Sequence, residues 1–410
     1  MQALSAGRLA PITDCNRYQQ MVKYLSVLVA FGLLSVGQTW AIEGNAVRPY
    51  LELGMGYDSN LFHFAGDSEA VLGLGEPIRS VTYSRYGVGA DLAWKPGRQQ
   101  LSARLGANKT SFSRYEDRLD YDGKNLSGEW RWQLGNRWSG LISSSLNRSQ
   151  STPTISGIAE SNVSDTRRKA FMAEYWLHPS WRARLRFDQI DQQYSTINQS
   201  ISDNQSDSTS FGVYFQGGAW ENIGIDLFDS RSEFPNRPLN TSLDNRSNKQ
   251  SLRVSGNFAY SGKSTLAGSI GYARSTHPTL INHDFNGLEG RFSGRWLFTG
   301  KSLLEVSYRH ELRESGTLIA NYETGDNLSL AAVWQIQPKT RLTARASSEH
   351  IDFEGDVRKD RLQTIGLSAS YEIWRGGDIS INLQRAQRNS SDAAQEYASN
   401  TLFVSTNLLF

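Results

Sequence analysis

The sequence predicts an all-β protein, a transmembrane antiparallel up-and-down β-barrel of about 18 strands, with 16 the other even count the pattern allows. Three observations predict it. Tryptophan recurs about every 40 residues, apolar and polar side chains alternate within each repeat, and the connections are tight and long in turn.

The repeat is carried by Trp94, Trp132, Trp176, Trp296, Trp334 and Trp374, with Gln216 and Tyr260 at the positions between; Trp94 to Trp374 is 280 residues, or seven intervals averaging 40. A unit of that length suits a propeller blade or a helical pair equally well, so its inner period decides. That period is two. Leu101, Ala103, Leu105 and Ala107 alternate with Ser102, Arg104, Gly106 and Asn108. Leu126, Gly128, Trp130 and Trp132 alternate with Glu129, Arg131 and Gln133, and Trp181, Ala183, Leu185 and Phe187 with Arg182, Arg184, Arg186 and Asp188. These are strands with one apolar and one polar face. At roughly ten residues or more they exceed the usual globular length. Ten residues tilted by ~45° climb roughly 23 Å, close to the ~25 Å apolar band of an outer membrane barrel.

Tight turns are expected near residues 96, 135, 178, 218, 262, 299, 338 and 376, with longer polar loops between them, the least certain hairpin lying between Ser230 and Gln250. Short connections on one side and long ones on the other match periplasmic turns and extracellular loops. The tryptophans precede the tight turns and are expected to form the periplasmic aromatic girdle. No loop is long enough to read as an obvious plug, which favours a wide conduit.

The domain reading is simple. A signal peptide is expected over 1–41, with Met21 the better start, Lys23 ahead of the apolar run Tyr24 to Val36, and a cut after Ala41; the barrel occupies 42–410. Cys15 lies in the leading segment, so the remainder would have no thiol chemistry. The formal charge of +2 and a mean hydropathy of -0.49 give neither a nucleic-acid footprint nor an acidic tail. The final stretch alternates Leu402, Val404, Thr406, Leu408 and Phe410, and its terminal aromatic resembles the signal read by the barrel-assembly machinery of Gram-negative bacteria.

Catalytic, metal and cofactor sites are not expected. The Ser261 to Thr265 and Thr299 to Ser302 stretches resemble the end of a phosphate loop, but Asn257 and Arg295 stand where its first Gly is needed. His63, His178, His277, His283, His310 and His350 lack ligand spacing; His277 and His283 share a loop and read as loop surface. The polar strand faces put Arg104, Arg131, Arg182, Arg184, Arg186, Arg253, Arg291, Arg295, Arg309, Arg341 and Arg345 in the lumen, with fewer acids. Such a lumen favours anionic solutes or polymers. The same charges would equally serve as cross-strand pairs supporting a wide barrel.

The stretches from Arg48 to Phe64, Thr110 to Gly140, Ala173 to Leu185 and Tyr260 to Trp296 resemble the EpsL-type members of the β-barrel porin 2 group, outer membrane proteins of exopolysaccharide operons. Tyr57, Asp58, Ser59, Asn60, Leu61 and Phe62 are the most specific part, together with Trp132 to Gly140; His63 stands where that family often has Arg. The resemblance implies export of exopolysaccharide across the outer membrane, with the polymer, outer membrane lipid and inner-membrane synthesis and co-polymerase proteins as partners. A general or nutrient-uptake porin is the alternative, and a non-conducting barrel anchoring a secretion complex the third. Asp58, Ser59 and Asn60 bond their own backbone in turns, so ending the first strand explains them; contact with lipopolysaccharide or glycan is the second reading.

Overall fold

The structure is a computed structural model describing residues 41–42, 45–115, 119–151, 162–237, 244–314 and 322–410. The expected leader, its apolar run and Cys15 lie outside the described residues, apart from Ala41 at the expected cut.

Every strand among the described residues belongs to one sheet. A two-residue strand, β1 (Ala41–Ile42), pairs with the start of β2 (Asn45–Asp58). There follow β3 (Val81–Trp94), β4 (Gln100–Phe112), β5 (Tyr121–Leu134), β6 (Trp138–Gln150), β7 (Val163–His178), β8 (Trp181–Tyr194), β9 (Asn204–Gly217) and β10 (Trp220–Glu233). The rest are β11 (Arg246–Ser261), β12 (Ser264–Thr276), β13 (Phe285–Thr299), β14 (Ser302–Glu314), β15 (Tyr322–Gln337), β16 (Thr340–Glu354), β17 (Lys359–Trp374), β18 (Gly377–Ser390) and β19 (Tyr397–Leu409). Neighbours pair antiparallel, and β19 returns to β2 in the register Thr401 to Asp58 through Leu409 to Tyr50. Apart from β1, this is a closed barrel of 18 strands, which leaves the sheet no long free edge. Phe410 follows β19 as the last residue.

All eight tight turns stand where the alternation places them, and the glycine-lysine stretches are two of them. Gly135 (φ 59) and Gly376 (φ 98) supply left-handed backbone that a side chain would strain. Six hairpins carry a register irregularity next to the tight turn, from Trp176/His178 to Glu372/Trp374. The strands run from 13 residues in β4 to 16 in β7, longer than an apolar band alone requires.

Exposure follows phase. On β8, Trp181 (46 %) and Phe187 (44 %) lie on the outer face, while Arg182, Arg184 and Arg186 point to the concave side. Apolar residues exposed in such a pattern meet lipid, where they cost nothing. Trp94, Trp296 and Trp334 share that outer face near the tight turns, as do Trp130, Trp138, Trp181 and Trp220. Trp132 lies in the same phase over Gly140, and the Trp374 indole lies over Gly377, where a Cβ would stand 2.5 Å from the ring.

Trp176 departs from the expected girdle. It falls in the phase of Glu174, opposite Arg182, whose guanidinium sits 5.2 Å from its ring centre, so it faces the lumen. The forty-residue rhythm marks its place along the strand, but only the two-residue phase sets its side.

Candidate functional site

The lumen wall is built from the polar phase of the strands, and most of its charge is neutralised in place. Asp91 on β3 opposes Arg104 on β4, and the two form a bidentate pair at 2.6 and 2.8 Å. Arg131 binds Glu129 two residues back on β5 at 2.6 Å. Arg295 reaches Glu305 across β13 and β14 at 3.6 Å. Other bridges span a whole strand, as concave faces permit: Lys249 on β11 reaches Glu289 on β13 at 2.7 Å, and Arg313 on β14 reaches Glu349 on β16 at 3.0 Å.

The three arginines of β8 are paired too. Arg182 and Arg184 converge on Glu174, at 3.5 and 2.6 Å, and Arg186 holds Asp188 at 2.5 Å. Arg182 is only 15 % exposed. A ladder of free cations, as alternation alone suggests, is therefore not what the wall presents on β8. The cross-strand register brings Glu174 from β7 between two of its rungs.

The unpartnered lumen cations lie elsewhere. Among the described residues Arg48, Arg168, Arg291 and Arg345 make no hydrogen bond or ion pair, and of these only Arg48 stands opposite an acid, Asp91. Arg291 directly opposes Arg309, and Arg168 opposes Ser145. Arg168 escapes the sequence reading because Arg167, Arg168 and Lys169 stand in a row on β7, which hides the alternation. A concave groove of about 550 Å³ runs along β3 to β8, lined by Arg104, Arg168, Arg186, Ser102, Ser143 and Ser145 among others.

At the long-loop end, the first loop folds onto this wall. Residues 59–80 carry a short helix, α1 (Asp67–Leu74), and bury Phe62, Phe64 and Ala70 against Val81, Phe112 and Tyr121 in the lumen phase of β3, β4 and β5. Phe64 is fully buried. Glu76 accepts from Tyr115 and Arg114, tying this loop to the next. The loop occupies the mouth on that side, contrary to the wide conduit expected from loop length alone. Its aromatic residues, not its length, make it an inward loop.

The Tyr57 to Phe62 motif is the fastening of that loop. Tyr57 faces outward, while Asp58 accepts from the Asn60 amide at 2.8 Å and from the Ser399 hydroxyl at 2.6 Å. Ser59 and Asn400 exchange bonds across the β2 and β19 seam. The Asn60 side chain, 1 % exposed, bonds the N–H of Phe64 (3.0 Å) and the carbonyls of Phe64 (2.8 Å) and Ala398 (3.2 Å). Leu61 packs beside the cluster. His63 takes a left-handed backbone (φ 56) and stacks flat on Tyr397 at 3.8 Å, and burial lowers its pKa against the pull of Asp58.

His277 and His283 are not loop surface. Both are buried, 5.9 Å apart, between β12 and β13, and burial lowers the pKa of each. Asp284 lies 3.4 Å from His277. Burial disfavours the Asp244 carboxylate, but the amides of Thr279 (2.8 Å) and Leu280 (3.1 Å) hold its pKa below the usual value.

No family model matches the chain, and no curated protein matches it. Solved structures do. OccK2 (OpdF) of Pseudomonas aeruginosa is similar with a TM-score of 0.50 at 10 % identity, over 89 % of this chain and 98 % of that one. OpdK of the same organism, solved with vanillate, gives 0.50 and 10 % over 89 % and 99 %. A BenF-like porin from Pseudomonas fluorescens Pf-5 gives 0.49 and 10 % over the same shares. The two likenesses at 0.50 speak for the fold alone, and none of the three lends support to the exopolysaccharide-operon family. The chain is a closed 18-stranded antiparallel β-barrel of the Gram-negative outer membrane.

Proposed function

We propose that the barrel is a passive uptake pore for small anionic solutes, carboxylates above all. The observation that carries this reading is the set of lumen arginines with neither an ion pair nor a hydrogen bond, of which Arg168, Arg291 and Arg345 also have no acid opposite them, in a wall that neutralises most of its other cations. Arg291 facing Arg309 is a like-charge pair that an anion relieves. In a hydrated lumen each contact is weak, about 1 kcal/mol or less, so a solute is drawn in without being held. The loop at the mouth suits a small solute better than a polymer. OpdK was solved with vanillate, a carboxylate, but at 10 % identity the case for anions here rests on this chain's arginines.

The test is the reversal potential of single barrels in a planar bilayer under a salt gradient. The wild type should prefer anions, and R168Q/R291Q/R345Q should move toward neutrality with unchanged assembly. Equal selectivity in the two would refute the reading. Export of exopolysaccharide is the second reading, favoured by the Tyr57 to Phe62 and Trp132 to Gly140 stretches; it would bring polymer and co-polymerase partners. Deletion of the gene separates the two: lost surface polysaccharide with unaltered carboxylate uptake would favour export.

A further inference from the structure

The outer face of β5 to β7 changes character partway up. From the tight turns, β5 presents Leu134, Trp132, Trp130, Gly128 and Leu126 outward and then Lys124. The same phase of β6 runs Trp138, Gly140, Ile142, Ser144 and Leu146 and then Arg148; on β7 it runs Leu177, Tyr175, Ala173 and Phe171 and then Lys169 and Arg167. The apolar stretch thus covers nine residues on β5 and β6 and seven on β7. With strands tilted by ~45° that is roughly 16–21 Å, so the cations stand near the upper edge of the ~25 Å apolar band, where outer membrane hydrocarbon gives way to outer-leaflet headgroups.

The cations there are poorly compensated. Lys124 directly opposes Arg148, a like-charge pair that costs stability. Arg148 is 3.6 Å from Asp165 and Arg167 is 3.8 Å from Asp191, both loose pairs. Lys124 and Lys169 are exposed and make no ion pair or hydrogen bond among the described residues. Hydrocarbon on one side of the cluster removes part of the water that would screen such repulsion. An anion with several oxygens placed over Lys124, Arg148 and Lys169 resolves the conflict.

We propose that this face binds the phosphate groups of a phosphorylated glycolipid of the outer leaflet. Directly below the cations, Leu126 and Phe171 (each 37 % exposed) offer an apolar floor for acyl chains. A free phosphate would make no use of that floor. This site lies on the lipid side of the wall and is independent of the lumen reading.

The experiment uses the full-length folded barrel in detergent and titrates bisphosphorylated lipid A, dephosphorylated lipid A and inorganic phosphate. The wild type should bind the bisphosphorylated form, and K124Q/K169Q roughly 30-fold more weakly, the worth of two lysines at an anionic headgroup layer. D165N, which removes an acid from the cluster, should bind more tightly, so the proposal stays testable if the double variant folds poorly. Equal affinity of wild type and K124Q/K169Q overturns the proposal. So does equal affinity for dephosphorylated lipid A, or displacement of lipid A by inorganic phosphate, which would assign the cations to free phosphate.

Discussion

Replacing Asn60 by Ala should release the first loop while leaving the barrel closed. The Asn60 amide group makes three bonds, two to Phe64 and one to Ala398, and is almost wholly buried. Each such bond contributes about 1 kcal/mol net, and a buried N–H left unpaired costs about 1–3 kcal/mol more, here that of Phe64. Some relaxation and water entry will offset part of this. Loop docking should therefore weaken by about 3 kcal/mol, which raises the open fraction roughly 100-fold. Burial of Phe62 and Phe64, each worth about 1.5–3 kcal/mol, still favours the docked form, so the loop opens transiently and does not stay open. Hydrogen exchange at the amides of residues 60–75 reads the effect, and single-channel traces should gain brief higher-conductance events. Unchanged exchange at the Phe64 amide in Asn60→Ala would refute the fastening role, and loss of the folded barrel would show that Asn60 serves closure itself.

Three further outcomes are expected. Below the ordinary histidine value of 6.5 the β12 to β13 loop should loosen: His277 and His283 have lowered pKa values when docked, so the undocked loop binds more protons, and docking present at higher pH is lost as pH falls through that region. Asp284 and Asp244 face them and offset part of the effect; protease nicking of this loop that did not rise between pH 7 and pH 5 would count against it. Leu185→Arg, in the outer phase opposite Ala173 and Phe211, should destabilise the barrel by about 2–4 kcal/mol if it lies near the midplane; a folded fraction in urea titrations equal to wild type would reverse the register. Asp360→Asn should cost about 3–5 kcal/mol, because Arg358, Arg388 and Ser390 converge on its fully buried carboxylate and would lose their shared acceptor charge; an unshifted thermal transition would show water taking its place.

The strands, the strand count and the tight turns are legible because phase and turn chemistry are local properties of the chain. Leu185 and Arg184 declare opposite faces from sequence alone. What is not legible depends on neighbours far away in the chain. Glu174 meets Arg182 and Arg184 only through the β7 to β8 register, and that contact turns an apparent ladder into a neutralised cluster. Trp176 shows how a rhythm across strands misplaces a residue whose own strand phase says otherwise. Phe62 and Phe64 carried the signal of an inward loop, two large apolar residues where a solvated loop would have none. Their partners, Phe112 and Tyr121, come from later hairpins, so nothing local announces the contact.

The seam between β2 and β19 has a consequence for the order in which the molecule is made. Asp58 bonds Ser399 and Asn60 bonds Ala398, groups separated by 341 and 338 positions along the chain. Neither bond exists until the final strand has met the first, and a slip of two residues in that meeting would carry Ser399 away from Asp58. The first loop is thus synthesised early but is fastened last, and only in the correct register. A loop protected from protease is a report that the barrel has closed properly, and an accessible one marks an assembly intermediate still open along this edge.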